Sequence, residues 1–257
     1  MLCVQPTRFS VPIPHNTPRP SLVVDVALHA LSELVFSVSL GAVCCLFTAT
    51  PLILWSGIAF QWMTNTALRI ALIVMGYPPD NWLTAAITAF GTLLNPQILL
   101  HELGHVAMAF GLLEKCNPII KLSPYFGGAT HFKVSMPTSL GKKVGETNIR
   151  PLIAGAGPLL SLSFSTIQML VASELFSHAP EISRMLTMAS LINFTFHAFY
   201  AISAISAPAQ YLANDFVVLK LAGFSPIIAL ITILAVPLII LINQGYFGTA
   251  PHLKSRS

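Results

Sequence analysis

The chain has very little charge. Of its 257 residues 9% are charged, with nine acidic and thirteen basic side chains, while 54% are hydrophobic. A soluble domain carries about 25% charged residues. That deficit, with a mean hydropathy of +0.75, excludes a conventional soluble enzyme and reads as a polytopic membrane protein. No polar stretch is long enough for a separate soluble domain of ordinary size. The net charge of +4 is not gathered into a dense basic face with aromatics between, which excludes a nucleic-acid partner. It fits topology signal and contact with the anionic lipid of a bilayer. Cys3, Cys44, Cys45 and Cys116 form no C-x-x-C pair, so neither a disulfide framework nor a cysteine zinc site is expected. There is no internal repeat. Residues 1–22 are rich in proline and lack the continuous apolar region of a secretory signal, and they are expected to form a flexible tail.

What is present is a series of apolar blocks. The first, Leu31 to Phe60, exceeds one membrane thickness and holds Pro51, so one kinked or tilted span is expected. Trp62 to Tyr77 is short and contains Arg69; it is either a tilted span with that arginine snorkelling or a re-entrant segment. Leu83 to Leu113 is a third block, in which Pro96 is expected to kink the helix. Glu114 to Arg150 is the one sizeable polar stretch, and its excess of lysine and arginine places it on the cytoplasmic side. Within it, Ile119 to Leu122 and His131 to Val134 flank Gly127-Gly128, a pattern that predicts a β-hairpin turning at the two glycines. Pro151 to Val171, Leu186 to Ile205 and Pro226 to Leu241 are further spans. The basic C-terminal tail then lands on the side opposite the 114–150 region unless 208–222 also enters the membrane.

The expected fold is therefore an all-α polytopic membrane protein of about five to six transmembrane helices, with a small membrane-associated β-hairpin. Its expected parts are the 1–22 tail, accessory helices over 23–82, a catalytic membrane core over 83–222, and a final helix and tail over 223–257.

The third block contains His101-Glu102-Leu103-Gly104-His105. Residues four apart share a helix face, so both imidazoles point the same way and can hold one Zn²⁺, with Glu102 as general base for the water at that metal. Three ionisable residues inside a membrane-length apolar segment are costly and read as functional. A catalytic zinc site uses three protein ligands. Asp25, Glu33 and Asp80 lie at span ends or loops, Glu114 ends the zinc helix, Glu146 is in the basic loop, and Glu174 and Glu181 flank a loop on the opposite side. Asp215 remains, in an apolar setting after the fifth block; the competing role for it is a cap on the helix that follows. His131 and His197 are rival ligands. Asn193, one turn before His197, either bridges helices or donates to an oxyanion.

These features together resemble the site-2 protease family of intramembrane zinc metalloproteases. The H-E-x-x-H helix is followed by Gly127-Gly128, then by Ala156-Gly157-Pro158-Leu159 at the expected start of the next helix, then by Asp215 in the place of the family's downstream aspartate. The resemblance covers roughly residues 84 to 222. The chain departs from it after the aspartate, where Phe216 stands in place of the usual glycine. The resemblance implies a zinc endopeptidase with Glu102 as catalytic base and His101, His105 and Asp215 as metal ligands. Gly127, Gly128 and Asn193 would then be substrate-binding, and the substrate a single-span membrane protein. The hairpin edge is suited to accept an unwound substrate segment as an added strand. Membrane residence fits a bacterial inner membrane and also an organelle. Three other readings compete. One is a membrane zinc protease of another class with Glu174 as third ligand. The others are a non-catalytic binding or chaperone module and a zinc transporter or sensor.

Overall fold

The computed structural model describes residues 22–46, 51–77, 81–123, 127–133, 135–176 and 178–244. The expected tail, apart from Leu22, lies outside them, as does the basic C-terminus. In chain order the elements are α1 (Leu22–Cys45), α2 (Pro51–Val74), α3 (Trp82–Leu112), β1 (Ile119–Ser123), β2 (Gly127–His131), α4 (Ser139–Val144), α5 (Glu146–Leu175), α6 (Pro180–Ser206), α7 (Asp215–Leu221) and α8 (Pro226–Asn243). The molecule is mostly helical, with one two-stranded antiparallel sheet. Among the described residues three helices, α5, α6 and α8, are long and apolar enough to cross a membrane, fewer than the five to six expected.

Four boundaries differ from the sequence reading. The run 31–60 is not one kinked span. α1 ends at Cys45 and Pro51 opens α2, where its missing N–H is harmless because first-turn donors have no helical partner. The block 62–77 is thus the second half of α2, and Arg69 is buried there rather than snorkelling. Gly127-Gly128 is not the turn of the hairpin. The pair opens β2, with Gly127 opposite Ser123 and Gly128 opposite Leu122. Finally, α5 starts at Glu146, so Pro151 and the Ala156-Gly157-Pro158 motif lie inside the helix. The apolar block could not mark that start, because its first turn, Glu146 to Arg150, is largely polar and exposed.

The centre is a mutual packing of α3, α5 and α6, with α1 and α2 against α3 and α8 against α6. Small residues let α3 and α5 approach closely. A Cβ added at Gly104 would collide with the Ala156 carbonyl oxygen. Deeper between the helices a buried polar seam replaces purely apolar contact. Gln97 Nε2 donates to Gln168 Oε1 and to the Ala189 carbonyl, both at 3.2 Å. Ser183 Oγ donates to the Ala172 carbonyl at 2.6 Å. Met169, Phe194, Ala198, Phe216, Val217 and Ile233 form the apolar cluster that joins α5, α6, α7 and α8.

The segment between α6 and α7 turns back into the bundle. Asp215 lies beside His101, well inside α3, whereas Lys220 reaches the last carbonyls of α6, donating to Ala204 O at 3.2 Å and Ile205 O at 2.9 Å. The chain therefore dips toward the site over 207–214 and returns along α7 to the side it left. α8 then runs the length of the bundle, since Gln244 Nε2 donates to the carbonyl of Met169 near the far end of α5. The 208–222 segment therefore turns back among the helices and does not run the length of the bundle.

Candidate metal centre

His101 and His105 sit on one face of α3, as four-residue spacing requires. The tertiary fold brings Asp215 to them. Asp215 Oδ2 lies 3.0 Å from His101 Nε2 and 3.4 Å from His105 Nε2, and the three donor atoms fall within 4.8 Å of one another. Ligands about 2.0–2.1 Å from a tetrahedral zinc are about 3.3 Å apart, so the two carboxylate–imidazole separations have the spacing of a shared ion. Three helices set the same depth. His101 is roughly 16 Å from the end of α3, Gly157 roughly 16 Å from the start of α5, and His197 roughly 14 Å from the end of α6.

Asp215 is held from both sides. It is not the cap of α7; that is Asn214, whose side-chain oxygen accepts from Phe216 N and Val217 N. Asn214 Nδ2 donates to the Tyr200 carbonyl and to Ser203 Oγ. The Tyr200 hydroxyl donates to Ala213 O at 2.9 Å and accepts from Asp215 N–H at 3.3 Å. Relieved of capping, the Asp215 carboxylate is directed at the two histidines.

The space for an ion is made by a missing side chain. A Cβ on Gly157 would collide with His105 Cε1 and Nε2 and would lie 2.9 Å from His101 Nε2. The donor set, its spacing and this glycine cradle fit a metal ion, and His101, His105 and Asp215 are the residues that can hold it.

Glu102 is buried at 3% exposure beside the centre. Thr130 Oγ1 donates to Glu102 Oε2 at 2.6 Å, and a Cβ on Gly128 would lie 2.7 Å from the same carboxyl group. Gly128 is thus there for close approach of β2 to the carboxylate. A cavity of about 640 Å³ opens over the centre, lined by His101, Glu102, His105 and Asp215 and bordered by β2 from Gly127 to His131. β2 pairs with β1 on one side only, so its other edge is unpaired among the described residues.

The rival ligands do not join the group. His131 ends β2 opposite Ile119, exposed on the cavity wall. His197 is buried but meets the far side of the His101 ring, its Nε2 3.2 Å from His101 Nδ1. Glu174 is roughly 25 Å further along α5 than Gly157, which removes it as a third ligand. Asn193 lines the cavity, but its Nδ2 donates to Ser161 Oγ at 2.9 Å and Ser165 Oγ at 2.8 Å, so its amide donor bridges α6 to α5. Cys116 is buried and free, away from this group. Thr130, Tyr200 and Asn214 escaped the sequence reading. The signal available for Tyr200 was a hydroxyl on an apolar helix, one turn after His197.

No protein-family model matches the chain, and no curated protein or solved structure matches it significantly.

Proposed function

We propose that the protein is a zinc-dependent intramembrane endopeptidase, which hydrolyses a peptide bond in or near the membrane-spanning segment of another membrane protein. The observation that carries this reading is the convergence of His101 Nε2, His105 Nε2 and Asp215 Oδ2 on one point. Glu102 stands in the same cavity, beside a strand with an unpaired edge. Two imidazoles and one carboxylate are a donor set that suits zinc, and His101, His105 and Asp215 would hold it. When bound, zinc supplies Lewis acidity toward water and the scissile carbonyl.

The residues of the chain do the rest. Glu102 takes a proton from the attacking water and passes it to the leaving amine. Thr130 fixes which Glu102 oxygen is free for that transfer, by occupying Oε2. A substrate helix hides its carbonyls in its own hydrogen bonds, so it must unwind to be cut. The free edge of β2 offers the unwound stretch a replacement set of backbone partners. Gly128 leaves the face of that strand toward Glu102 clear of a side chain. The buried depth of the centre is suited to a bond inside the bilayer. In this reading α1, α2 and α3 also span, making six crossing helices with α5, α6 and α8; α1 and α2, at 24 residues each, reach about 36 Å against a hydrocarbon core of about 30 Å.

The test is zinc content and membrane-protein cleavage in reconstituted vesicles, with new N-termini read by mass spectrometry. About one zinc per chain is expected in wild type, weakened in Asp215→Asn. Glu102→Gln is expected to keep the zinc and lose cleavage. Cleavage that survives Glu102→Gln refutes the mechanism, and a wild type that takes up no zinc refutes the enzyme reading.

A further inference from the structure

We infer that His197 is a positioning residue: it holds His101 in the one tautomer and orientation that turns the Nε2 lone pair toward Asp215 and His105. The inference rests on the metal-site reading above.

The direction of the hydrogen bonds follows from one group that cannot donate. The carbonyl oxygen of Asn193, four residues earlier on α6, lies 2.9 Å from His197 Nδ1. A carbonyl only accepts, so the His197 Nδ1 carries the proton. In a neutral imidazole the other nitrogen is then an acceptor. His197 Nε2 lies 3.2 Å from His101 Nδ1, so His101 Nδ1 must be the donor in that contact. The His101 proton is thereby placed on Nδ1, and Nε2, 3.0 Å from Asp215 Oδ2, keeps a free lone pair. His105 reaches the same state without an intermediary, since its Nδ1 lies 2.7 Å from the carbonyl of Ile153. The two histidines are thus set by two backbone carbonyls, one on α5 directly and one on α6 through His197.

Geometry explains why an intermediary is needed. The His101 ring faces α6, and the Asn193 carbonyl belongs to the ladder of that helix, one side chain's length behind the interface. An imidazole spans the gap, accepting at one end and donating at the other. His197 is buried at 7% exposure, and its contact with His101 comes from the side of the ring opposite the ligand group. A metal-ligating histidine fixed through its second nitrogen loses roughly 10–100-fold in metal affinity when that partner is removed.

The test uses the full chain in detergent, with zinc affinity read by chelator competition and ligand geometry by the visible spectrum of bound Co²⁺. His197→Phe fills the space and cannot accept; its zinc affinity is expected to fall roughly 10–100-fold, with a changed Co²⁺ spectrum. His197→Gln restores an acceptor and is expected to recover most of the lost affinity. Wild-type affinity and spectrum in His197→Phe overturn the inference, as does a Gln variant no better than Phe. A second measurement does not depend on the variants folding. The ¹⁵N shifts of the His101 ring in zinc-free wild type are expected to show Nδ1 protonated, and the Nε2-protonated tautomer overturns the inference. The two failures are separable. A wild type with His101 protonated on Nδ1 but no zinc uptake refutes the function alone, and zinc bound equally by wild type and His197→Phe refutes the inference alone.

Discussion

Replacing Gly157 by alanine adds one methyl group, and its position sets the consequence. The new Cβ would overlap His105 Nε2 and Cε1 and sit 2.9 Å from His101 Nε2. Non-bonded heavy atoms rest about 3.5 Å apart, so the His105 ring must move by about 1 Å. It cannot swing freely, because its Nδ1 is bonded to Ile153 O at 2.7 Å. Metal–ligand distances tolerate only about 0.2 Å. Zinc affinity should therefore fall by at least about 100-fold, the upper end of what disturbing ligand orientation costs. Folding should suffer far less. Overpacking costs about 1–3 kcal/mol, and exchanging glycine for alanine inside a helix returns about 1 kcal/mol, leaving about 0–2 kcal/mol of destabilisation. Gly155→Ala is the control on the same helix. Its Cβ meets only the Leu219 side chain, at 3.5 Å from Cδ2 and 4.0 Å from Cδ1, an ordinary contact, so that variant should be up to about 1 kcal/mol more stable with zinc binding unchanged. Chelator competition and thermal unfolding, run on both variants, read the two effects separately. Zinc binding by Gly157→Ala within a few-fold of wild type would refute the glycine cradle and, with it, the placement of the ion between the histidines.

Three further outcomes test the surroundings of the centre. Thr130→Val removes the donor to Glu102 Oε2 at nearly constant volume. Cleavage should slow by about tenfold, the scale of one hydrogen bond to a charged group, with zinc content unchanged; equal loss of zinc would place Thr130 in the metal site instead. Tyr200→Phe releases Ala213 O and Asp215 N–H, and the loosened carboxylate should weaken zinc by about tenfold, measured by the same competition assay. Asn193→Leu strips the donor shared by Ser161 and Ser165 but leaves the backbone carbonyl that fixes His197. Thermal unfolding in detergent should show about 1–2 kcal/mol of lost stability with zinc affinity close to wild type. A large loss of affinity would assign Asn193 to the centre itself.

The local parts of this protein were legible in its residues. Composition alone set the helical, apolar character. The four-residue spacing of His101 and His105 put both rings on one helix face, because helix geometry is a property of the backbone and needs no partner. Scarcity of acidic residues made Asp215 selectable, since an intramembrane carboxylate is costly without a partner. Boundaries were less legible wherever a helix continued past its apolar face, as at Glu146. Pro51 is ambiguous in the chain, because proline is tolerated at a helix start as readily as it breaks a helix interior. The roles of the glycines were decided only in three dimensions. Gly128 and Gly157 look like turn or packing residues in the chain, yet each marks where a backbone comes against a functional side chain from another element. The same holds for Thr130, Tyr200 and His197, which are far from His101 to His105 in sequence and acquire meaning from direction as well as proximity. Sequence periodicity determines which residues share a face. Which atom of a neighbouring helix faces that surface, and whether it donates or accepts, depends on packing between helices, and only the tertiary structure decided it.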